Sequence, residues 1–187
     1  AAVQWLRDSL KIIKNAKETE NLYSKNDPSQ NVYLVPAFVG LGAPYWDGEA
    51  RGALFGLTRN TGVPELVKAT LDSVVYQTKD LISAMEKDSG IKIKKIKVDG
   101  GMVNNNQFVQ FLSNLLLCVC LRPKINETTS LGAAYLAGYQ SGLIKKFTDI
   151  NQKWKSEKKF VHKMNKRDIE KLYLGWQKAI KGALIVK

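Results

Sequence analysis

Val3, Leu6, Leu10 and Ile13 recur at the spacing of one helix face from the first residues, so the chain is expected to begin inside an element, as if cut from a longer one. A polar stretch from Ser24 to Gln30 leads to a short apolar run, Val32 to Val35, read as a strand, and a second strand is expected from Ala53 to Leu57. Pro64 suits a first helical turn. The long helix that follows buries Val67, Thr70, Leu71, Val74, Thr78, Ile82 and Met85, and Gly90 sits where a left-handed C-cap is wanted. Ile93 to Val98 alternates with lysines as a strand exposed on one face. Phe108, Phe111, Leu112 and Leu115 mark a helix, Cys118 to Leu121 a strand, and Ser130 to Ser141 a helix. Gly132, Ala133, Ala134, Ala137 and Gly138 would let that last helix approach a sheet closely. A Lys-rich loop from Lys145 to Lys163 precedes a terminal helix, which Asn165 and Asp168 begin and Ile169, Leu172, Trp176 and Ile180 anchor. Strands alternating with helices predict an α/β layered domain.

The 187 residues, 44% of them hydrophobic, suffice for one domain with its own core. There is no run of eighteen apolar residues, and Ala1 to Lys11 reads as amphipathic helix rather than a cleavable leader, so a cytoplasmic protein without membrane insertion is expected. The two cysteines, Cys118 and Cys120, share a strand face and read as buried small hydrophobes, with no further ligands nearby to make a metal site. A net charge of +12 invites a nucleic-acid partner, but the basic residues are spread from Arg7 to Lys187 without an aromatic-basic platform; a solvated basic surface is expected instead. His162, the only histidine, lies in a charged stretch and has no nucleophile to serve.

Two segments carry candidate chemistry. Residues 33–57 place Pro36, Gly40, Gly42, Pro44 and Gly48 around Tyr45, Trp46, Asp47 and Arg51, a loop built to hold one shape. Arg51 is expected to fix that loop by pairing with Asp47. Asp99-Gly100-Gly101 closes a strand and opens a helix, so its glycines permit backbone approach to a flat or phosphorylated ligand; a tight turn without a ligand explains them equally well.

The block from Tyr33 to Leu57, with its Ala43-Pro44-Tyr45-Trp46 loop, resembles the opening of the second domain of the glycerol kinases in the FGGY family of carbohydrate kinases. Gly52, Leu54, Gly56 and Leu57, followed by Glu65, Leu66, Ala69, Thr70, Leu71 and Asp72, match the family's second signature. Val-Asp-Gly-Gly-Met-Val-Asn-Asn-Asn from Val98 is similar to its adenosine motif. The resemblance runs from Val3 to about Gly182. It implies an actin-like ATPase (ribonuclease H-like) domain, a mixed sheet flanked by helices, with residues 1–187 forming the C-terminal, ATP-binding half. By that likeness Gly100, Gly101 and Asn105 contact the nucleotide, with Asn104 and Asn106 less fixed, and Val3, Gln4 and Ala16 join them. Spacing alone would put Val3 in the core. Asp72 and Gln77 are open between a ligand-facing role and a solvated or interdomain face. The hydroxyls of Thr128, Thr129 and Ser130 are expected as helix caps.

The resemblance further implies ATP/ADP and Mg²⁺, with no catalytic or metal-ligating residue in this chain. The base and the glycerol contacts belong to an absent N-terminal domain, and a homo-oligomer is expected. Rival readings are another FGGY carbohydrate kinase, of pentulose type, and a stand-alone nucleotide-binding or interaction module.

Overall fold

The computed structural model of the chain describes residues 1–125, 127–146, 148 and 154–185. The elements run α1 (Ala2–Asp8), α2 (Glu18–Ser24), β1 (Tyr33–Val35), β2 (Ala53–Phe55), α3 (Val63–Ser89), β3 (Lys95–Lys97), α4 (Asn106–Leu116), β4 (Val119–Pro123), α5 (Thr128–Gln140), β5 (Ser156–Phe160) and α6 (Lys166–Ile185). The first turn of α3 is closed by Glu65, whose carboxylate reaches back to accept from the Gly62 amide at 2.8 Å, the half of a capping box that a glycine N-cap allows. It stops at Gly90, whose φ of 70° is the left-handed C-cap.

β1 pairs antiparallel with β2, Tyr33 opposite Phe55. β3 and β4 are parallel and joined through α4, and β5 adds antiparallel to the far side of β4, giving a mixed sheet of order β3-β4-β5. α3 is the hub against which α1, α2, α4 and β1 pack. Its Tyr76 stacks on Trp176 of α6 at 5.2 Å and meets Phe111 of α4 edge-on at 5.7 Å. α6 lies across the β1-β2 pair so closely that a Cβ at Gly175 would overlap the Tyr33 phenol, and one at Gly182 would come within 2.8 Å of the Phe55 ring.

The core also holds a polar node. Asp80 of α3 accepts hydrogen bonds from the Tyr45 hydroxyl (2.8 Å), the Tyr173 hydroxyl (2.5 Å) and the Trp176 indole N–H (2.7 Å). One carboxylate thereby ties the aromatic loop, α3 and α6 together. Burial, and then Asp80 itself, push both tyrosine pKa values well above the usual range.

The α/β alternation, the cap at Gly90 and the Asn165 cap, whose Oδ1 accepts from the Asp168 amide at 2.9 Å, all appear as the pattern predicts. Several expectations fail. The first apolar stripe is not one helix: α1 ends at Asp8, Leu10 is exposed, and a second helix, α2, forms at Glu18–Ser24, where the pattern assigned no element. The supposed Lys-rich loop contains β5, a polar edge strand whose lysines discourage further pairing, which is why it shows no apolar alternation.

α5 carries no buried residue and so does not pack onto the sheet. Its Gly138 makes room instead for Ile144, whose side chain would sit 3.2 Å from a Cβ there. Glu127 occupies the α5 N-cap without a side-chain bond, and Thr128, Thr129 and Ser130 lie inside the helix rather than capping it. Met85 is exposed, because α3 outruns the elements that cover its first half. Cys118 and Cys120 are buried free thiols, and His162 is exposed.

Candidate functional site: a glycine turn at the sheet's carboxyl end

Parallel strands deliver their carboxyl ends to the same side of a sheet, where the connecting turns build ligand sites. β3 runs out through Val98, whose amide still bonds the Leu121 carbonyl at 3.0 Å, to Asp99 and Gly100. Gly100 has φ 87° and ψ 176°, a conformation open essentially to glycine alone. A Cβ at Gly100 or at Gly101 would meet no atom within 4 Å, so the turn presents bare backbone to open space. A single 3-10 turn, Gly101–Asn104, then feeds α4.

Asn105 is the N-cap of α4. Its Oδ1 accepts from the Phe108 amide at 3.1 Å and its Nδ2 donates to Thr19 Oγ1 at 3.2 Å, and the residue is buried. Thr19 in turn donates to the Ala16 carbonyl at 2.7 Å. Alongside, Glu20 Oε1 accepts from both the backbone amide (3.0 Å) and the Nδ2 (2.9 Å) of Asn106. Ala16 and Asn105, far apart in sequence, are thus stitched together through Thr19, beside the Gly100-Gly101 turn. Val3 and Gln4 sit apart on α1, which packs against α3; Val3 is half-buried against the core and Gln4 is exposed.

Sequence reading missed Thr19, Glu20 and the helix that carries them. The available signal was Asn15 followed three residues later by Glu18, whose side chains bond at 2.8 Å where the turn into α2 begins. Asp72 does not lie on a solvated face. It is buried, accepts from the Tyr23 hydroxyl at 2.7 Å and pairs with Lys68, and burial raises its pKa against the lowering effect of Lys68. Gln77 is half-buried.

The aromatic loop forms a second corner. Leu41 and Asp47 exchange backbone bonds of 2.7 and 2.9 Å that close it, and Tyr45 is tethered to Asp80. Trp46 is displayed outward with 79% of its surface exposed. Asp47 accepts from the amides of Glu49 (2.9 Å) and Ala50 (3.0 Å), while Arg51 donates to the carbonyls of Gly48 and Ala50, both at 3.0 Å. Arg51 therefore fixes the loop through backbone carbonyls. Among the described residues no three His, Cys, Asp or Glu side chains converge to hold a metal, and no helix is long and apolar enough to cross a membrane.

Residues 1–141 match the C-terminal domain of the FGGY family of carbohydrate kinases. The chain belongs to that family. The chain is 52% identical, over all of its length, to a glycerol kinase of Geobacillus sp. (strain WCH70), of which it covers 38%. Among solved structures it is similar to the Plasmodium falciparum glycerol kinase with ADP, at 32% identity and a TM-score of 0.86 over 97% of this chain and 36% of that one. It also superposes on the ligand-bound xylulose kinase of Lactobacillus acidophilus with a TM-score of 0.81, covering all of this chain and 38% of that one, and at 24% identity this likeness concerns the fold. The chain thus has the actin-like ATPase fold of these kinases, and it spans about two-fifths of the length of the curated relatives it matches.

Proposed function

We propose that the chain is the nucleotide-binding C-terminal half of an ATP-dependent glycerol kinase, which transfers the γ-phosphoryl group of ATP to glycerol to give glycerol 3-phosphate. The observation that carries this reading is the 52% identity, sustained along the whole chain, to a glycerol kinase. The Ala43-Pro44-Tyr45-Trp46 loop supports glycerol over a pentulose, and the ADP in the Plasmodium falciparum relative supports a nucleotide.

In phosphoryl transfer a protein chiefly positions the reactants and stabilises developing charge. The open backbone at Gly100 and Gly101 would form one wall against the nucleotide, because the space a Cβ would occupy is free there. Asn105, its amide engaged by Phe108 and Thr19, acts first by holding that wall at the head of α4, and Ala16 by anchoring Thr19. Val3 and Gln4, on α1, would join the adenosine side by the family likeness alone. Mg²⁺ would supply charge neutralisation on the phosphates. The glycerol-binding groups and the general base would belong to an N-terminal domain, and the complete enzyme would be a cytoplasmic homo-oligomer.

The test is the full natural polypeptide carrying this chain, assayed with MgATP on glycerol, xylulose and ribulose. A site built to hydrogen-bond particular hydroxyls discriminates by orders of magnitude, so kcat/KM for glycerol should exceed either pentulose by roughly 10³ or more. Equal or greater efficiency on a pentulose would overturn the glycerol assignment.

A further inference from the structure

Behind the glycine turn, on the side away from open space, lies a buried cation in a strand that is otherwise apolar. Arg122 of β4 has 8% of its side chain exposed. Its Nη1 donates to the Val103 carbonyl at 2.9 Å, with the Asn104 carbonyl at 3.5 Å and Asn106 Oδ1 at 3.4 Å also within reach. The other edge of the guanidinium faces Glu157 of β5, Nε to Oε2 at 3.0 Å and Nη2 to Oε1 at 3.5 Å. Lys158 of the same strand donates to Asn106 Oδ1 at 2.8 Å. The carbonyls of a lone 3-10 turn have few partners of their own, and here one planar fork serves them while a carboxylate sets its angle.

We propose that Arg122 is a positioning residue for nucleotide binding: braced by Glu157, it clamps the Gly101–Asn104 turn and so holds the Gly100-Gly101 backbone open toward the ligand. This rests on the nucleotide-wall reading above. Arg122 engages the carbonyls of Val103 and Asn104, and none of its atoms lies within 4 Å of a Cβ built at Gly100 or Gly101. Its effect is to keep a turn of glycines, otherwise free to sample several conformations, in the one that leaves the wall clear. The edge strand β5 acquires a purpose by the same argument, since it carries both the brace and the lysine that holds Asn106.

The experiment uses the full natural polypeptide and the variants Arg122→Met, Arg122→Lys and Glu157→Gln, with Gly101→Val as a separate probe of the wall. Steady-state kinetics with ATP and glycerol varied in turn are combined with hydrogen exchange of residues 100–104. Losing a charge-assisted clamp should raise KM for ATP about tenfold in Arg122→Met, with kcat and KM for glycerol changed by less than about twofold. Arg122→Lys, keeping the charge but not the fork, should recover part of that loss, and Glu157→Gln should raise KM for ATP about threefold. Exchange at residues 100–104 should quicken in step while α3 stays protected.

An unchanged KM for ATP in folded Arg122→Met overturns the proposal, as does a parallel rise in KM for ATP and glycerol. If Arg122→Met does not fold, wild-type KM values in both Arg122→Lys and Glu157→Gln overturn it. Gly101→Val separates the two readings. Weakened nucleotide binding there beside unaffected Arg122 variants removes only the clamp, whereas unaffected binding there removes the wall on which the clamp depends.

Discussion

Replacing Asp80 by alanine tests whether one carboxylate joins the aromatic loop to the helical core. The residue accepts from Tyr45, Tyr173 and Trp176 at 2.8, 2.5 and 2.7 Å. The two tyrosines are half-buried and can recover water as a partner, so each lost bond should cost only ~1 kcal/mol. Trp176 has no exposed surface, and its indole N–H would be left unsatisfied, at a further ~1–3 kcal/mol. The expected loss for Asp80→Ala is about 4 kcal/mol, a large share of a domain's stability. Asp80→Asn keeps the shape and one acceptor but turns an N–H₂ toward a donor, for about 2 kcal/mol. Urea titrations followed by tryptophan fluorescence read both variants. Tyr45→Phe and Tyr173→Phe should each cost ~1 kcal/mol with Asp80 present and almost nothing in the Asp80→Ala background. A loss under about 1 kcal/mol for Asp80→Ala, with an unchanged denaturant slope, would refute the reasoning.

Three further outcomes are expected. The isolated 187-residue chain should give no glycerol phosphorylation above background in a coupled assay, and turnover by it would place the base in this chain. Glu65 accepts from the Asp27 and Gly62 amides at 2.9 and 2.8 Å, which hold its pKa below the usual value of 4.5. A depressed carboxylate contributes stability above its unfolded pKa and loses it as pH falls through the folded one, so Glu65→Gln should cost about 1 kcal/mol at neutral pH and progressively less below about pH 4. A cost independent of pH in parallel urea titrations would contradict this. Gly175→Ala should destabilise by about 1–3 kcal/mol in thermal melts, because its Cβ overlaps the Tyr33 phenol, and Tyr33→Phe should relieve part of it; an unchanged melting temperature would show that α6 can shift.

Long elements with an uninterrupted period were readable from the sequence: α3 from its apolar stripe and terminal glycine, α6 from the Asn165 cap and Trp176. Two short polar elements were not. α2 has seven mostly polar residues, and β5, Ser156–Phe160, exposes every residue but Phe160 and so shows no apolar alternation. The Gly100-Gly101 turn was legible because consecutive glycines after a strand mark backbone that must adopt unusual angles. Arg122 was not, since its partners, the Val103 carbonyl and Glu157, are brought to it only by the parallel pairing of β3 with β4 and the antiparallel return of β5. The exposure of α5 was missed for the opposite reason. Its small residues announce close packing, but a sequence does not say against what.

The position of α6 has a consequence for how the chain is made. Tyr33 donates to the Leu172 carbonyl across 139 positions, and Asp80 waits for Trp176 across 96. At synthesis rates of roughly 5–20 residues per second, the β1-β2 pair and α3 emerge from the ribosome roughly 5–20 s before the helix that covers them. For that interval the aromatic face of Tyr76 and the Asp80 carboxylate stand open on the nascent chain, a natural landing place for chaperones. Any message that terminates before Trp176 makes the exposure permanent, leaving a product in which Tyr76 has lost its stacking partner and Asp80 its indole donor.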